Sequence, residues 1–247
     1  MARNLIVGFA WLSPFMAIII WPHGPFVGLA IVALSHALFL YPTLRPNVQW
    51  LGPVFTRFAA EGREVWLTID DGPTDDTAAI LDLLAKTNTK ATFFLKGALA
   101  AQRLDLVRSI ISSGHSIGNH SYTHPSAFFW CLLPAWVSDE IDRCNEVLGN
   151  QSYFRAPVGM KNPAVHPLLA SRAMLLIGWT ARGFDTVRAD PTRVAARILR
   201  RIEPGAIIVL HQGRAHSLSC IERVIDDVRQ TGYSFVVPAE DRLKTKR

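Results

Sequence analysis

A chain of 247 residues with 49% hydrophobic content is long enough for one large domain plus an appendage. Its net charge of +6 and pI near 9.5 fit either nucleic acid or an anionic lipid surface as a partner. Lysines and arginines do not interleave with aromatics outside the short tail at residues 242–247, which disfavours nucleic acid. Cys131, Cys144 and Cys220 are widely spaced and form no Cys-x-x-Cys pair, which disfavours a structural zinc site; their odd number leaves a free thiol and leans towards a reducing compartment.

Residues 5–21 and 26–41 are almost wholly apolar, and Pro22-His23-Gly24-Pro25 must break any helix between them. Each run is about 25 Å long as helix, slightly short of a ~30 Å hydrocarbon core. No small-x-small cleavage site follows the first run, so a membrane anchor over residues 1–45 is expected rather than a removable export signal. Arg3 precedes the first run, the intervening loop has no Lys or Arg, and Arg45, Arg57 and Arg63 follow the second. The positive-inside rule then puts both ends, and the domain behind them, on the cytoplasmic side of the inner membrane. Residues 46–62, with Trp50, Phe55 and Phe58, read as a linker along the headgroup layer, and residues 63–247 as the main folded domain.

From Glu64 onward strand and helix patterns alternate. Strands are expected near residues 65–70, 91–95, 116–119, 152–155, 174–179, 206–210 and 234–237. Helices are expected over 104–113, 135–148, 164–173, 191–202 and 217–231, with one opening after a Thr74 cap. Repeated β–α units imply α/β architecture with a mostly parallel sheet or barrel. Ionisable residues recur at or just past strand ends: Asp70 and Asp71, His120, Arg155, Asp185 and His211. Strand ends converge in a barrel even when they are far apart in sequence.

Asp70 and Asp71 close a strand before a Gly72-Pro73 turn and point different ways, so that one can bind a metal and the other act as a base. Taken alone, this is a common surface turn. His120 and His124, four apart, can face one ion from a helical turn or a tight loop. Two imidazoles and a carboxylate leave positions open for water and substrate, as a catalytic zinc requires.

These residues resemble the polysaccharide deacetylase family, the NodB homology domain of carbohydrate esterase family 4. The motif Thr-Phe-Asp-Asp-Gly-Pro is matched by residues 68–73 with Ile69 for Phe, and His-Ser/Thr-x-x-His by residues 120–124. Arg-x-Pro is matched by Arg155-Ala156-Pro157, an Asp near a Trp by Asp185 and Trp179, and Leu-His-Asp by Leu210-His211-Gln212. The resemblance implies a distorted (β/α)7 barrel behind the N-terminal apolar helical hairpin, and hydrolysis of the N-acetyl group of an amino sugar. It implies that Asp71, His120 and His124 hold a divalent metal, usually Zn2+, and that Asp70 is the general base. His211 would be the general acid, tuned by Asp185, with Arg155 orienting Asp70. The backbone N–H of Val158, after Pro157, would stabilise the oxyanion. Val158 stands where the family has Tyr, Gln212 where it has Asp, and no Trp follows Asp185.

His115, His166 and His216 read as surface or turn histidines, Asp139, Glu140 and Asp142 as a solvated helix face, and Asp75 and Asp76 as a helix first turn. The apolar run at residues 128–133 fits either the barrel wall or a lip against the bilayer. The expected activity is N-deacetylation of an amino sugar that is lipid-linked or close to the membrane. The alternatives are removal of another acyl group, such as formyl, or glycan binding without catalysis.

Overall fold

The alternating run from Val65 to Ile69 becomes the central strand of a mostly parallel sheet in a computed structural model that describes residues 2–187 and 190–245. Two long helices come first, α1 (Ala2–Ile20) and α2 (Pro25–Leu44), followed by β1 (Phe55–Phe58), β2 (Glu64–Gly72), α3 (Thr77–Lys86), β3 (Ala91–Leu95), α4 (Gly97–Gln102), α5 (Leu104–Ser112) and β4 (Ser116–Asn119). The second half comprises α6 (Pro134–Leu148), β5 (Tyr153–Phe154), α7 (Val165–Ala170), β6 (Leu175–Leu176), β7 (Ala181–Arg182), α8 (Pro191–Leu199), β8 (Ala206–His211), α9 (Ser217–Gln230), β9 (Ser234–Phe235) and β10 (Leu243–Thr245).

The strands run in the order β10-β1-β8-β2-β3-β4-β5-β6, with β7 added to β8 and β9 to β2. A parallel bridge between Phe55 and Ile177, with the Gly178 N–H donating to the Phe55 carbonyl at 2.8 Å, returns the far end of the curl to β1. Strands β1, β8, β2, β3, β4, β5 and β6 thereby close the expected distorted seven-stranded barrel. Nearly every side chain of β2, β3 and β8 is buried, as expected of central strands covered on both faces. Leu67, Ile69, Phe93 and Ile208 pack outward under the helices, while Trp66, Phe94, Ile207 and Val209 fill the barrel interior.

Several boundaries differ from expectation. Residues 55–58, read from the sequence as linker, are β1, which pairs antiparallel with both β8 and β10. Helix α3 starts at Thr77 with Asp76 rather than Thr74 at its N-cap position; the Thr74 hydroxyl donates to Asp76 instead. Helix α2 continues through Pro42, which leaves less free chain between it and the barrel.

Helices α1 and α2, of 19 and 20 residues, are long and apolar enough to cross a membrane. They meet through small residues: Ser13 and Ser35 are buried and joined by a 2.6 Å hydroxyl hydrogen bond, and Gly28 lies against the Ala17 backbone. Three successive residues fasten the hairpin and the apolar run at residues 128–133 to the barrel. Lys161 donates from its backbone N–H to the Thr43 carbonyl at 2.9 Å, and from its ammonium to the carbonyls of Arg45 and of Pro46, the latter at 2.8 Å. The Asn162 amide donates to the carbonyls of Phe129, Trp130 and Leu132. The Pro163 carbonyl accepts from Arg3 at 3.3 Å. Both ends of the hairpin and the apolar run at residues 128–133 are therefore held by one short segment. Within that run Phe129 is buried, as the wall reading expects, whereas Phe128 and Leu133 project outward, as does Trp136 beyond it.

The β1–β8 junction depends on Gly205, whose φ of 82° and close approach to β1 leave no room for a side chain; a Cβ there would lie 2.0 Å from the Phe58 carbonyl oxygen. Gly205→Ala should destabilise the barrel by about 2 kcal/mol or more, read as a lower denaturation midpoint with an unchanged slope.

Candidate active site

Successive side chains of a regular strand point to opposite faces, which would separate Asp70 from Asp71. The structure removes that separation. The β2–β3 register shifts between Asp70 and Gly72, and Asp71 adopts φ 77°, so both carboxylates line one cavity of about 310 Å3 at the carboxyl ends of the strands. The parallel register pairs Asp70 with His211 on β8, which sets these two groups side by side on adjacent strands.

His120 leaves the end of β4, and residues 120–124 form a tight loop rather than a helical turn. Ser121 and His124 adopt positive φ of 64° and 57°. Glu140, expected on a solvated face, is instead buried and accepts from the Thr123 N–H at 2.9 Å and the Thr123 hydroxyl at 2.6 Å, which fixes the loop. His120 Nδ1–H donates to the Arg155 carbonyl at 2.8 Å, so its Nε2 carries the lone pair. Burial pushes His120 down to about 4; burial together with His120 pushes His124 down to about 3. Both imidazoles are therefore neutral at neutral pH, the form that ligates metal.

Asp71, His120 and His124 offer three ligand atoms that all lie within 4.8 Å of one another. One carboxylate oxygen and two imidazole nitrogens suit zinc or a similar divalent ion and leave coordination positions open. Burial opposes the Asp71 charge, but the facing His120, Lys96 and His124 outweigh it and hold the carboxyl well below the usual range. Lys96, whose ammonium lies 2.8 Å from Asp71 Oδ1, was not anticipated from the sequence. The signal was available, because Lys96 directly follows β3 just as the other polar groups follow their strands.

Arg155 is fully buried behind the cavity. Its guanidinium donates to Asp70 and to the Thr68 hydroxyl, both at 2.7 Å, and to the carbonyls of Ile177 and Gly178, over the face of Phe94. Burial raises the pKa of Asp70, with Arg155 and His211 opposing it. Asp185 accepts from His211 Nδ1 at 3.0 Å and from the His211 backbone N–H at 2.7 Å. Burial acts to lower the pKa of His211, but the Asp185 bond and charge, with Asp70 and Asp71, raise it overall. His216, read as ordinary, bonds through Nε2 to the Asp185 carbonyl at 2.7 Å and so holds this pair in place. His115, also read as a surface residue, is buried and accepts from the Ala91 N–H at 3.3 Å.

Val158 (φ 47°) and Trp179 also line the cavity, together with Arg182 from β7 and Arg214 from the loop after β8. Pro157 is buried and does not line the cavity. Gln212 turns away from it, accepting from the Thr77 hydroxyl at 2.6 Å and packing over Gly72. Every other residue singled out at a strand end touches the cavity directly or lies immediately behind it.

Residues 59–174 match the family model described as polysaccharide deacetylase. The chain is 32% identical over 191 residues to a chitooligosaccharide deacetylase of Bradyrhizobium, covering 73% of this chain and 85% of that protein. A family 4 carbohydrate esterase of Streptomyces lividans, solved with acetate, superposes with a TM-score of 0.68 at 28% identity, covering 75% of this chain and 97% of that one. A family pseudoenzyme of Bacillus anthracis superposes with a TM-score of 0.66 at 27% identity, covering 73% and 65%. In sequence and in fold, the chain belongs to the polysaccharide deacetylase family.

Proposed function

We propose that this protein is a metal-dependent N-deacetylase that removes the acetyl group from an amino sugar carried on a membrane lipid. The observation that carries the reading is the coincidence, in one cavity, of a three-donor metal set with a buried carboxylate beside a histidine on the neighbouring strand. The Bradyrhizobium relative is a chitooligosaccharide deacetylase and the Streptomyces esterase was solved with acetate, which supports an N-acetyl sugar over an N-formyl one. A glycan-binding role is the rival, since the fold includes a pseudoenzyme. The complete set Asp70, Asp71, His120, His124, Arg155 and His211 favours catalysis.

Asp71, His120 and His124 would hold the ion, most simply Zn2+, which when bound supplies Lewis acidity to the reacting carbonyl and water. Asp70, made more basic by burial and oriented by Arg155, takes a proton from the attacking water. The backbone N–H of Val158, at the cavity wall, is the donor for the carbonyl oxygen as negative charge develops on it. His211, kept protonated by Asp185, delivers a proton to the departing sugar nitrogen as the C–N bond breaks; the products are acetate and the free amine. Trp179 gives the sugar ring an apolar face.

The membrane part of the proposal rests on α1 and α2, on their small-residue contact, and on the exposed Phe128, Leu133 and Trp136 at the end where the hairpin is fastened. Arg3 and Arg45 flank that end, which by the positive-inside rule favours the cytoplasmic face of the inner membrane.

Asp71→Ala should abolish stoichiometric zinc binding in calorimetry. Asp70→Ala should retain zinc while lowering turnover by about 100-fold or more, and equal loss of zinc in both would reverse the two roles. Activity requires ionised Asp70 and protonated His211, so the pH profile is a bell whose alkaline limb follows His211. Asp185→Asn removes the group that raises that pKa and should move the alkaline limb to lower pH while leaving the acid limb in place. Acetate release from a lipid-borne N-acetyl sugar should exceed that from the same sugar free in water, and a marked preference for the soluble form would remove the lipid from the proposal.

A further inference from the structure

Beside the catalytic cavity lies a second groove of about 480 Å3, and Trp179 and Arg182 line both. Three arginines, Arg45, Arg182 and Arg201, come to this groove from the end of α2, from β7 and from the turn after α8. Among the described residues none of the three has a carboxylate partner, whereas the nearby Arg57 pairs with Glu203. Among the described residues the buried Nε of Arg182 has no acceptor, so no protein carboxylate competes for this guanidinium. Its guanidinium is held over the rings of Phe184 and Trp179, at 4.8 Å and 5.5 Å from their centroids, so the donor fork is fixed before a ligand arrives.

We propose that this groove binds the phosphate through which the sugar is joined to its lipid, with Arg45 and Arg201 closing on the phosphate from either side of Arg182. Guanidinium forks match phosphate oxygens in pairs, and clustered unpaired arginines destabilise one another until such an anion binds. The order of groups along the protein is the second argument. Arg45 caps α2 at the end where the apolar hairpin finishes, the arginine groove follows, and the cavity with Asp70 and His211 lies beyond Trp179. Lipid, phosphate and sugar occur in that same order in a glycosyl phospholipid. The assignment rests on the deacetylase reading and narrows its substrate to an anionic, phosphate-linked acceptor.

The test uses the full chain in nanodiscs of phosphatidylcholine, with or without phosphatidylglycerol. The two acceptors are N-acetylglucosamine joined to a polyprenol through a phosphate, and the same sugar joined to the same polyprenol by a plain glycosidic bond. Wild-type protein should prefer the phosphate-bearing acceptor. In Arg45→Gln/Arg201→Gln the ratio of kcat/KM between the two acceptors should fall by about tenfold or more, chiefly through KM, and Arg182→Gln should lower it further. The ratio of equilibrium binding of the two acceptors, measured without turnover, should fall in parallel. An unchanged ratio overturns the assignment. A loss that is equal for both acceptors and appears only with phosphatidylglycerol also overturns it, because the arginines would then be reading the bilayer surface. If neither acceptor is deacetylated, the deacetylase reading fails on its own, and the binding ratio alone decides the phosphate site.

Discussion

The cavity end of this barrel depends on one buried cation. Arg155 is removed from water and gives its guanidinium to Asp70, Thr68 and the carbonyls of Ile177 and Gly178, while its own carbonyl receives His120 Nδ1–H. Burying an unpaired guanidinium would cost several kcal/mol, so these acceptors are required, and their positions become fixed relative to one another. One residue thus fixes the carboxylate proposed as base and the tautomer of one proposed metal ligand, and links them to the strand end that returns to β1. Its neighbour on the ladder adds to this, since the Arg155 N–H donates to the Asn119 carbonyl at 2.9 Å, next to His120.

A second constraint is conformational. Of the non-glycine residues with positive φ, Asp71, Ser121, His124, Val158 and Phe184 all lie in or beside the site. Each such residue costs on the order of 1 kcal/mol or more, and such costs persist where surrounding packing enforces them. The left-handed Asp71 turns a strand-end pair that would straddle the sheet into two groups sharing one cavity. The left-handed residues of the histidine loop allow two imidazoles to meet a carboxylate without a helix. A barrel of hydrogen-bonded strands provides the stiffness that holds such a loop in place.

The barrel and the ionisable rim at its strand ends were largely legible in the sequence because both follow local rules. Alternation marks β2, a phenylalanine-rich run marks β3, a continuous apolar run marks β8, and ionisable residues immediately past a strand stand out against their apolar neighbours. What was missed depends on partners remote in sequence. β1 has only four residues and becomes a strand through pairing with β8 and β10, more than 140 and 180 positions away. Glu140 and His216 look like ordinary surface groups until the chain folds them against Thr123 and Asp185. Lys96 follows the same strand-end pattern as the histidines, but no spacing rule pairs it with Asp71.

The fastening at residues 161–163 has a consequence for how the protein meets its substrate. Lys161, Asn162 and Pro163 tie both ends of the hairpin and the neighbouring apolar run to the loop that carries Val158 and Gly159. With α1 and α2 in a bilayer, the mouth of the cavity would stand at a set height above the lipid and could neither swing out to a distant polymer nor sink to reach a buried group. Such a molecule would survey its surroundings by lateral diffusion, in two dimensions, and its rate would follow the surface density of acceptor rather than its concentration in solution.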